Sequence, residues 1–361
     1  MLTRDISLVI KPTYRCNFTC DFCSTVGDDA LTLDTDLLLD FITRMSRGHS
    51  LEAIISGGEP LLMGTDYFYR ILAAPVDSVG IQSNGEIAYN NLDKWLPILK
   101  DERVKFGISF QLGDQRRNKK GNVFNREMFY RYQERFAKAL EYYIFFIYVI
   151  TNDNCSFESI DEIIEIANHF NIGFRISAVF KSGKGKNVYI PQYQSIRIFN
   201  YLLEKYPRES CRILPLKDFL LSDIPLCKCN YTPDCTNGII SIEPNGDLYT
   251  CCGLGDRYAE PVGHITDDIE KIEESISKVD LHHQIRVECE KCYNRDFCNS
   301  CYIRYLDIIE DSAENRDLYC IEMKKMHSHI SRIRTALGLE PDIIALYNKN
   351  KKSLKYEKIA G

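Results

Sequence analysis

The chain has no run approaching the ~18 consecutive apolar residues of a membrane-spanning helix. It also lacks a secretory signal: MLTRDISLVI has no basic opening, long apolar centre or small-residue cleavage site. Internal repeats and low-complexity linkers are missing. Strong charge is missing too, because a net charge of −6 is modest for 361 residues and argues against a surface built for nucleic acid. These absences point to a cytoplasmic protein with neither membrane nor nucleic acid as partner.

What the chain has in excess is cysteine, with fifteen residues. In a reducing compartment disulfides explain such a number poorly, and metal or catalytic use becomes the better reading. Three cysteines lie near the start, Cys155 and Cys211 stand alone, and ten fall between Cys227 and Cys320. The rest of the composition, 45% hydrophobic and 27% charged, is that of an ordinary globular protein with enough apolar material for a core.

From residue 5 to about 206 short β-rich runs alternate with helical ones. ISLVI, LEAIIS, GIQSN, VKFGISF, YIFFIYVI and FRISAVF read as strands. TDLLLDFITRM places Leu38, Phe41, Ile42 and Met45 on one helical face, and Ser159 with Glu162 reads as a capping box opening another helix. YIFFIYVI is apolar throughout, as in a parallel strand covered on both faces. Six βα units suit a doubly wound sheet or an incomplete barrel, and both gather chemistry at the C-terminal ends of their strands. The residues with chemical potential stand there: Cys16 to Cys23, Ser56 to Pro60, Ser83 to Gly85, and Ser109 to Asp114. The rhythm ends near residue 207, giving expected units at 1–206, at 207–325 (short and cysteine-rich) and at 326–361. The last holds a helix around Met323 to Leu337 and a solvated tail, NKNKKSLKYEK.

The stretch RCNFTCDFC sets Cys16, Cys20 and Cys23 in one tight loop after the first strand. Thiolates select soft metals, zinc and iron–sulfur clusters above all. Three thiolates leave one iron of a four-iron cluster open to a small molecule. Buried apolar thiols, or a zinc site with a remote fourth ligand, remain alternatives to this reading.

With its aromatic Phe22, the motif resembles the C-x3-C-x-aromatic-C hallmark of the radical S-adenosylmethionine (SAM) superfamily. The resemblance implies a partial (β/α)6 TIM-type barrel and a [4Fe–4S] cluster on Cys16, Cys20 and Cys23. It further implies that SAM chelates the open iron and is cleaved reductively to methionine and the 5′-deoxyadenosyl radical, which takes a hydrogen atom from substrate. Phe22 would lie against the adenine. Gly57, Gly58 and Glu59 match the family's GGEP motif, which contacts the SAM amine; Asn84, in QSNG, and Ser109 match positions that hold the ribose and carboxylate.

Two C-x2-C pairs downstream suit a zinc ribbon when taken alone. The whole array instead resembles a SPASM domain, the C-terminal extension of peptide- and protein-modifying radical SAM enzymes. Cys235-x10-Gly246-x4-Cys251 fits its first element, and Cys289-x2-Cys292-x5-Cys298 begins its second. The spacing to Cys301 is one residue shorter than the family's. The resemblance implies one auxiliary [4Fe–4S] cluster on Cys229, Cys235, Cys251 and Cys301, and another on Cys289, Cys292, Cys298 and Cys320. Cys227 is an alternative to Cys229, and Cys252 reads as a small hydrophobe. Three clusters and SAM are therefore the implied cofactors.

The implied activity is oxidative modification of a ribosomally made peptide, forming a thioether, carbon–carbon or carbon–oxygen crosslink. A dehydrogenase or epimerase acting on a small molecule or single residue is the alternative. Cys252 stands where sulfatase-maturating members carry a catalytic Asp, which disfavours that branch. Only fifteen residues precede Cys16, so the expected partners are a peptide, a separate leader-binding protein and a flavodoxin- or ferredoxin-type reductant. Asp114, Arg116, Arg117 and Arg126 follow the fourth strand as unranked charges, His282 and His283 show no ligand spacing, and no catalytic base is assigned.

Overall fold

The computed structural model describes residues 2, 4–25, 27–221, 235–257, 259–280, 291–292, 302–310 and 312–338, with backbone alone at 235, 302, 305 and 309. Seven parallel strands run in chain order: β1 (Asp5–Ile10), β2 (Ser50–Ile55), β3 (Ser78–Ser83), β4 (Val104–Phe110), β5 (Phe145–Ile150), β6 (Phe174–Ala178) and β7 (Ile213–Leu214). Between them lie helices α1 (Thr35–Met45), α2 (Thr65–Ala73), α3 (Glu86–Asn90), α4 (Leu92–Leu99), α5 (Arg126–Leu140), α6 (Phe157–Phe170) and α7 (Gln192–Lys205). On the far side of β1 the sheet continues with β8 (Ile239–Ile242), parallel to β1, then antiparallel β9 (Asp247–Tyr249) and β10 (Gly263–His264). The ends β10 and β7 do not pair, so this is an open, partial barrel.

Strand periodicity explains both faces. Ala53, Ile55, Val79, Ile81, Phe146, Tyr148, Ile150, Phe174 and Ile176 are buried under the helices. The alternate positions, including Glu52, Gly80, Gln82, Ser109, Ile147 and Ser177, are only half-buried. This corrects the reading of YIFFIYVI as covered on both faces: Phe145, Ile147 and Val149 are half-buried, because the open sheet leaves its inner side uncovered.

Helix α1 buries Leu38, Phe41, Ile42 and Met45 as its pattern predicts, behind an Asp34 cap that accepts the Asp36 and Leu37 N–H groups. The start of α6 differs from expectation. Ser156, not Ser159, is the cap, and its hydroxyl accepts the Ser159 N–H. The helix anticipated around residue 323 begins earlier, spanning Ala313–Ala336, and its Ser312 cap accepts the Asn315 N–H. It runs unbroken across residue 326 and packs along α7, where Asn200 Nδ2 donates to the Glu322 carbonyl at 3.0 Å. Among the described residues no helix is long and apolar enough to cross a membrane.

A buried polar cluster ties the short helix Tyr302–Ile309 to the sixth βα unit. Arg304 Nη1 donates to Gln192 Oε1 at 3.0 Å, and Nη2 to the Ala178 carbonyl at 3.3 Å. The guanidinium also lies over the Phe180 ring, 5.2 Å from its centroid. Asp307, fully buried, pairs with Arg257 and accepts from Gln192 Nε2. Arg304→Ala removes the donors to Gln192 Oε1 and to the Ala178 carbonyl and a cation beside Asp307, and we expect a loss of about 2–4 kcal/mol in urea unfolding. A change below about 0.5 kcal/mol would show that the helix is held otherwise.

Candidate functional site

The loop carrying Cys16, Cys20 and Cys23 leaves the C-terminal end of β1 and is fixed largely by backbone bonds to other loops. The Thr19 N–H donates to the Arg117 carbonyl at 2.8 Å, and the Asp21 N–H to that of Gln115 at 2.9 Å. From the opposite side, the Lys184 and Gly185 N–H groups both reach the Cys23 carbonyl, at 2.9 and 3.2 Å. All three thiols are half-buried and none is in a disulfide. Cys16 is pushed up to about 12, by burial first and also by Glu59, Cys20 and Cys23 nearby, against the Phe18 N–H that bonds its sulfur. Burial pushes Cys20 up to about 11, with the charge of Arg116 pulling the other way.

Cys16 and Cys20 therefore sit in a setting that penalises bare thiolates. The donor set is all sulfur, and the buried cation of Arg116 lies beside it. This combination fits an iron–sulfur cluster.

The turn after β2 is built against this loop. The Gly58 N–H donates to the Thr13 carbonyl at 3.0 Å, and the Glu59 N–H to that of Arg15 at 2.8 Å. A Cβ on Gly58 would stand 2.1 Å from the Arg15 carbonyl oxygen and 2.5 Å from that of Tyr14. Gly57 takes φ +105°, in the region that favours glycine. Glu59 is fully buried, and its carboxylate is occupied within the protein. Oε1 accepts from the Leu61 N–H at 3.0 Å and from Ser83 Oγ at 2.8 Å; Oε2 accepts from the Asn84 N–H at 2.8 Å. Burial pushes this carboxyl upward, while those donors and Arg116 pull it back.

Asn84 therefore starts from a backbone held by Glu59. Its side-chain amide donates to Asn17 Oδ1 at 2.6 Å and lies 3.9 Å from the Cys16 sulfur. Ser109, half-buried near the end of β4, accepts from Gln82 Nε2 at 3.0 Å. Phe22 is half-buried beside the thiols. Cys16, Cys20, Cys23, Gly57, Gly58, Glu59, Asn84 and Arg116 thus meet at one point, while Ser109 and Gln82 form a separate pair on the sheet's inner side.

The charges after β4 divide. Asp114, Arg117 and Arg126 make surface ion pairs, whereas Arg116 is 1% exposed. Its guanidinium lies over Phe18 and Phe124, 5.3 and 4.7 Å from their centroids, and Nη2 donates to the Asn84 carbonyl at 3.2 Å. Burial pulls its pKa down, opposed by the charges of Cys20, Glu59 and Cys16.

Farther along the chain, Cys227, Cys229, Cys289, Cys298, Cys301, His282, His283, the side chain of Cys235 and the lysine-rich tail lie outside the described residues. Cys320 is raised by burial and then by Cys292, so these two thiols are neighbours. Cys251 precedes a one-turn helix, Cys252–Gly255. Cys252, next to it, has its pKa pulled down by its hydrogen bond with Cys251 and by the charge of Lys11, against its burial. Lys11, buried after β1, pairs with Glu243 at 2.8 Å and Asp256 at 2.9 Å, and donates to the Cys252 carbonyl at 3.3 Å. Burial alone would lower its pKa, but Asp256 and Glu243 raise it.

Sequence reasoning missed this lysine and the loop Ser182–Gly185. The second had a signal: Gly183 takes φ +52°, and a Cβ there would stand 2.7 Å from the Cys23 carbonyl oxygen. The spacing of GKGK after a strand hints at such an approach but does not say against what.

Residues 10–169 match the family model of the radical SAM superfamily. Among curated proteins, the GTP 3′,8-cyclase of Staphylococcus carnosus (strain TM300) is 28% identical over 200 residues, covering 53% of this chain and 50% of that protein. The chain thus spans about half the length of this curated relative. Among solved structures, histidine-tagged anSMEcpe with bound AdoMet superposes with a TM-score of 0.73 at 19% identity, covering 91% of this chain and 98% of that one. Native anSMEcpe with AdoMet and the Kp18Cys peptide gives 0.74 at 18% identity, covering 96% and 99%. Streptococcus suis SuiB bound to its precursor peptide SuiA gives 0.60 at 16% identity, covering 84% and 74%. At these identities the likeness establishes the shared fold.

Two substitutions test the construction of this site. Gly58→Ala must displace the Tyr14–Arg15 backbone, and we expect a loss of about 1–3 kcal/mol in chemical unfolding together with poor iron retention. Gly48→Ala, where a Cβ meets nothing within 4 Å, should leave both unchanged. Glu59→Gln replaces one acceptor oxygen by an NH2 group, so at least one of the three protein donors meets another donor, and it should destabilise by about 1–3 kcal/mol. Unchanged stability in Glu59→Gln would mean that the carboxylate is not the brace described.

Proposed function

Starting from a chain that carries a radical SAM domain over residues 10–169, we propose that it is a radical SAM maturase that oxidatively modifies a ribosomally made peptide. The observation that carries this reading is the three-thiol loop, braced by the GGEP turn and by Asn84 at one point of the barrel mouth. Cys16, Cys20 and Cys23 would hold a [4Fe–4S] cluster with one iron open, and the chemistry supplied there is one-electron cleavage of SAM to the 5′-deoxyadenosyl radical, which abstracts a substrate hydrogen.

The residues of this chain position and shield. Gly57 and Gly58 let the turn lie directly on the Thr13–Arg15 backbone, where a Cβ would crowd it, and so set the turn that would meet the amino and carboxylate end of SAM beside the thiols. Glu59 serves through its hold on Asn84 and Ser83, and Asn84 presents its amide beside Cys16. Phe22 offers an aromatic face to the adenine. The Gln82–Ser109 pair provides polar contacts on the inner side of the sheet. Cys229, Cys235, Cys251 and Cys301, and Cys289, Cys292, Cys298 and Cys320, would hold two auxiliary [4Fe–4S] clusters in a SPASM domain. Full cysteine ligation suits these to accept the electron left after hydrogen abstraction. A flavodoxin- or ferredoxin-type protein would supply electrons, and a separate protein would present the peptide's leader.

A peptide substrate is supported by the likeness of nearly the whole described fold to two proteins solved with peptides. The match to a GTP 3′,8-cyclase favours the second reading, a small-molecule substrate.

Anaerobic reconstitution tests the proposal. About twelve irons per chain are expected, falling to about eight when Cys16, Cys20 and Cys23 are all changed to alanine. With dithionite, SAM should yield 5′-deoxyadenosine only when the three thiols are intact. Zinc without iron would overturn the radical reading. Turnover stimulated by a nucleotide but by no short peptide encoded beside the gene would replace the peptide reading with the small-molecule one.

A further inference from the structure

We infer that Arg116 is an electrostatic and positioning residue of the iron–sulfur site: its sealed guanidinium donates Nε–H and Nη1–H to the anionic sulfur held by Cys16, Cys20 and Cys23, and thereby raises that cluster's reduction potential. This rests on the reading that the three thiols hold a cluster.

Arginine cannot shed its charge in a protein, and each buried donor left unpaired costs about 1–3 kcal/mol. Arg116 is 1% exposed, and only Nη2 has a partner, the Asn84 carbonyl at 3.2 Å. Nε and Nη1 are both fully buried and have none. The Phe18 and Phe124 rings lie beside the guanidinium, with its carbon 5.3 and 4.7 Å from their centroids, and neither ring carries an oxygen, nitrogen or sulfur acceptor. Glu59, the nearby carboxylate, is already engaged by Leu61, Ser83 and Asn84. The remaining acidic groups beside Arg116 are the thiols of Cys20 and Cys16 and the phenol of Tyr132, with Cys20 acting on it most strongly.

Thiolate and cluster sulfur is the acceptor that completes this donor set. Reduction adds one electron to an already anionic centre. A fixed buried cation with hydrogen bonds to sulfur therefore stabilises the reduced form more than the oxidised one. Glu59 offsets part of this charge, but its carboxylate is directed at its own three donors. Phe18, between Cys16 and Cys20 in the loop, packs beside the guanidinium, so Arg116 also helps to seat the loop.

The test is a redox titration without SAM, followed by the electron paramagnetic resonance signal that disappears when Cys16, Cys20 and Cys23 are changed to alanine. Arg116→Gln should lower the reduced fraction at fixed potential by about tenfold or more, which is ~59 mV for one electron, at unchanged iron content. Arg116→Lys keeps the charge but loses the planar pair of donors, and should fall between; it serves the case where the glutamine variant does not load. In the wild type, exchange into deuterium oxide should produce deuteron couplings to the reduced cluster beyond that of the Phe18 N–H, which remains in Arg116→Met. These further couplings should be lost in Arg116→Met, whose side chain has no exchangeable proton. A potential unmoved in a fully loaded variant, or no such couplings in the wild type, overturns the inference alone. An unmoved potential with lost SAM affinity also overturns it and gives the guanidinium to SAM. Failure of the wild-type thiols to bind iron would instead defeat the underlying reading.

Discussion

The site depends on one close approach: the backbone of the turn after β2 lies directly on the backbone leaving β1. No side chain separates them, because Gly58 has none, and the Gly58 and Glu59 N–H groups bond the Thr13 and Arg15 carbonyls. Once that contact exists, the cysteine loop has a fixed starting direction. Two further loops then bind it through main-chain atoms, at Thr19, Asp21 and Cys23. Bracing of this kind is insensitive to side-chain rotamers. That suits a three-thiol loop that must be in place before any metal arrives, since burial makes Cys16 and Cys20 resist ionisation.

Much of this was legible in the chain. The strands follow from short apolar runs, and α1 from the spacing of Leu38, Phe41, Ile42 and Met45. The clustering of cysteines after β1 and of GGEP after β2 is likewise a matter of order along the sequence, since parallel strands bring their C-terminal ends together. What could not be read are facts about partners distant in sequence. YIFFIYVI suggested cover on both faces because composition reports apolarity but not closure of the sheet. The cap of α6 shifted from Ser159 to Ser156 because both serines fit a cap, and only the path of the preceding turn decides between them. Nor did the sequence show that Ile239–Ile242 would add to the barrel sheet beside β1, since four residues in a cysteine-rich region carry little periodic signal.

Charge followed the same division. Asp114, Arg116, Arg117 and Arg126 are indistinguishable by type and lie within thirteen positions of one another. Three make exposed ion pairs of small energetic consequence. The fourth is enclosed because Phe18 and Phe124, from two different loops, meet around it. Glu59 shows the converse. Motif resemblance suggested a ligand contact, and the geometry adds three internal donors on its carboxylate, so Glu59 also steadies Asn84 and the loop beside it.

The pairing of β8 with β1 has a further consequence. Lys11 follows β1, and Glu243 follows β8, at the same end of the sheet. Their ion pair, joined by Asp256 and by the Tyr14 hydroxyl on Glu243, is buried. Its charges have little water around them, so displacing either strand would leave an uncompensated charge, at a cost of about 3–5 kcal/mol. Lys11 also bonds the Cys252 carbonyl, one residue beyond Cys251. The strand that launches the first cysteine loop is thus mechanically coupled to the segment carrying a downstream cysteine, from residues more than two hundred positions away. A rigid link of that kind fixes the distance between two cysteine-bearing segments, which a flexible connection would leave free.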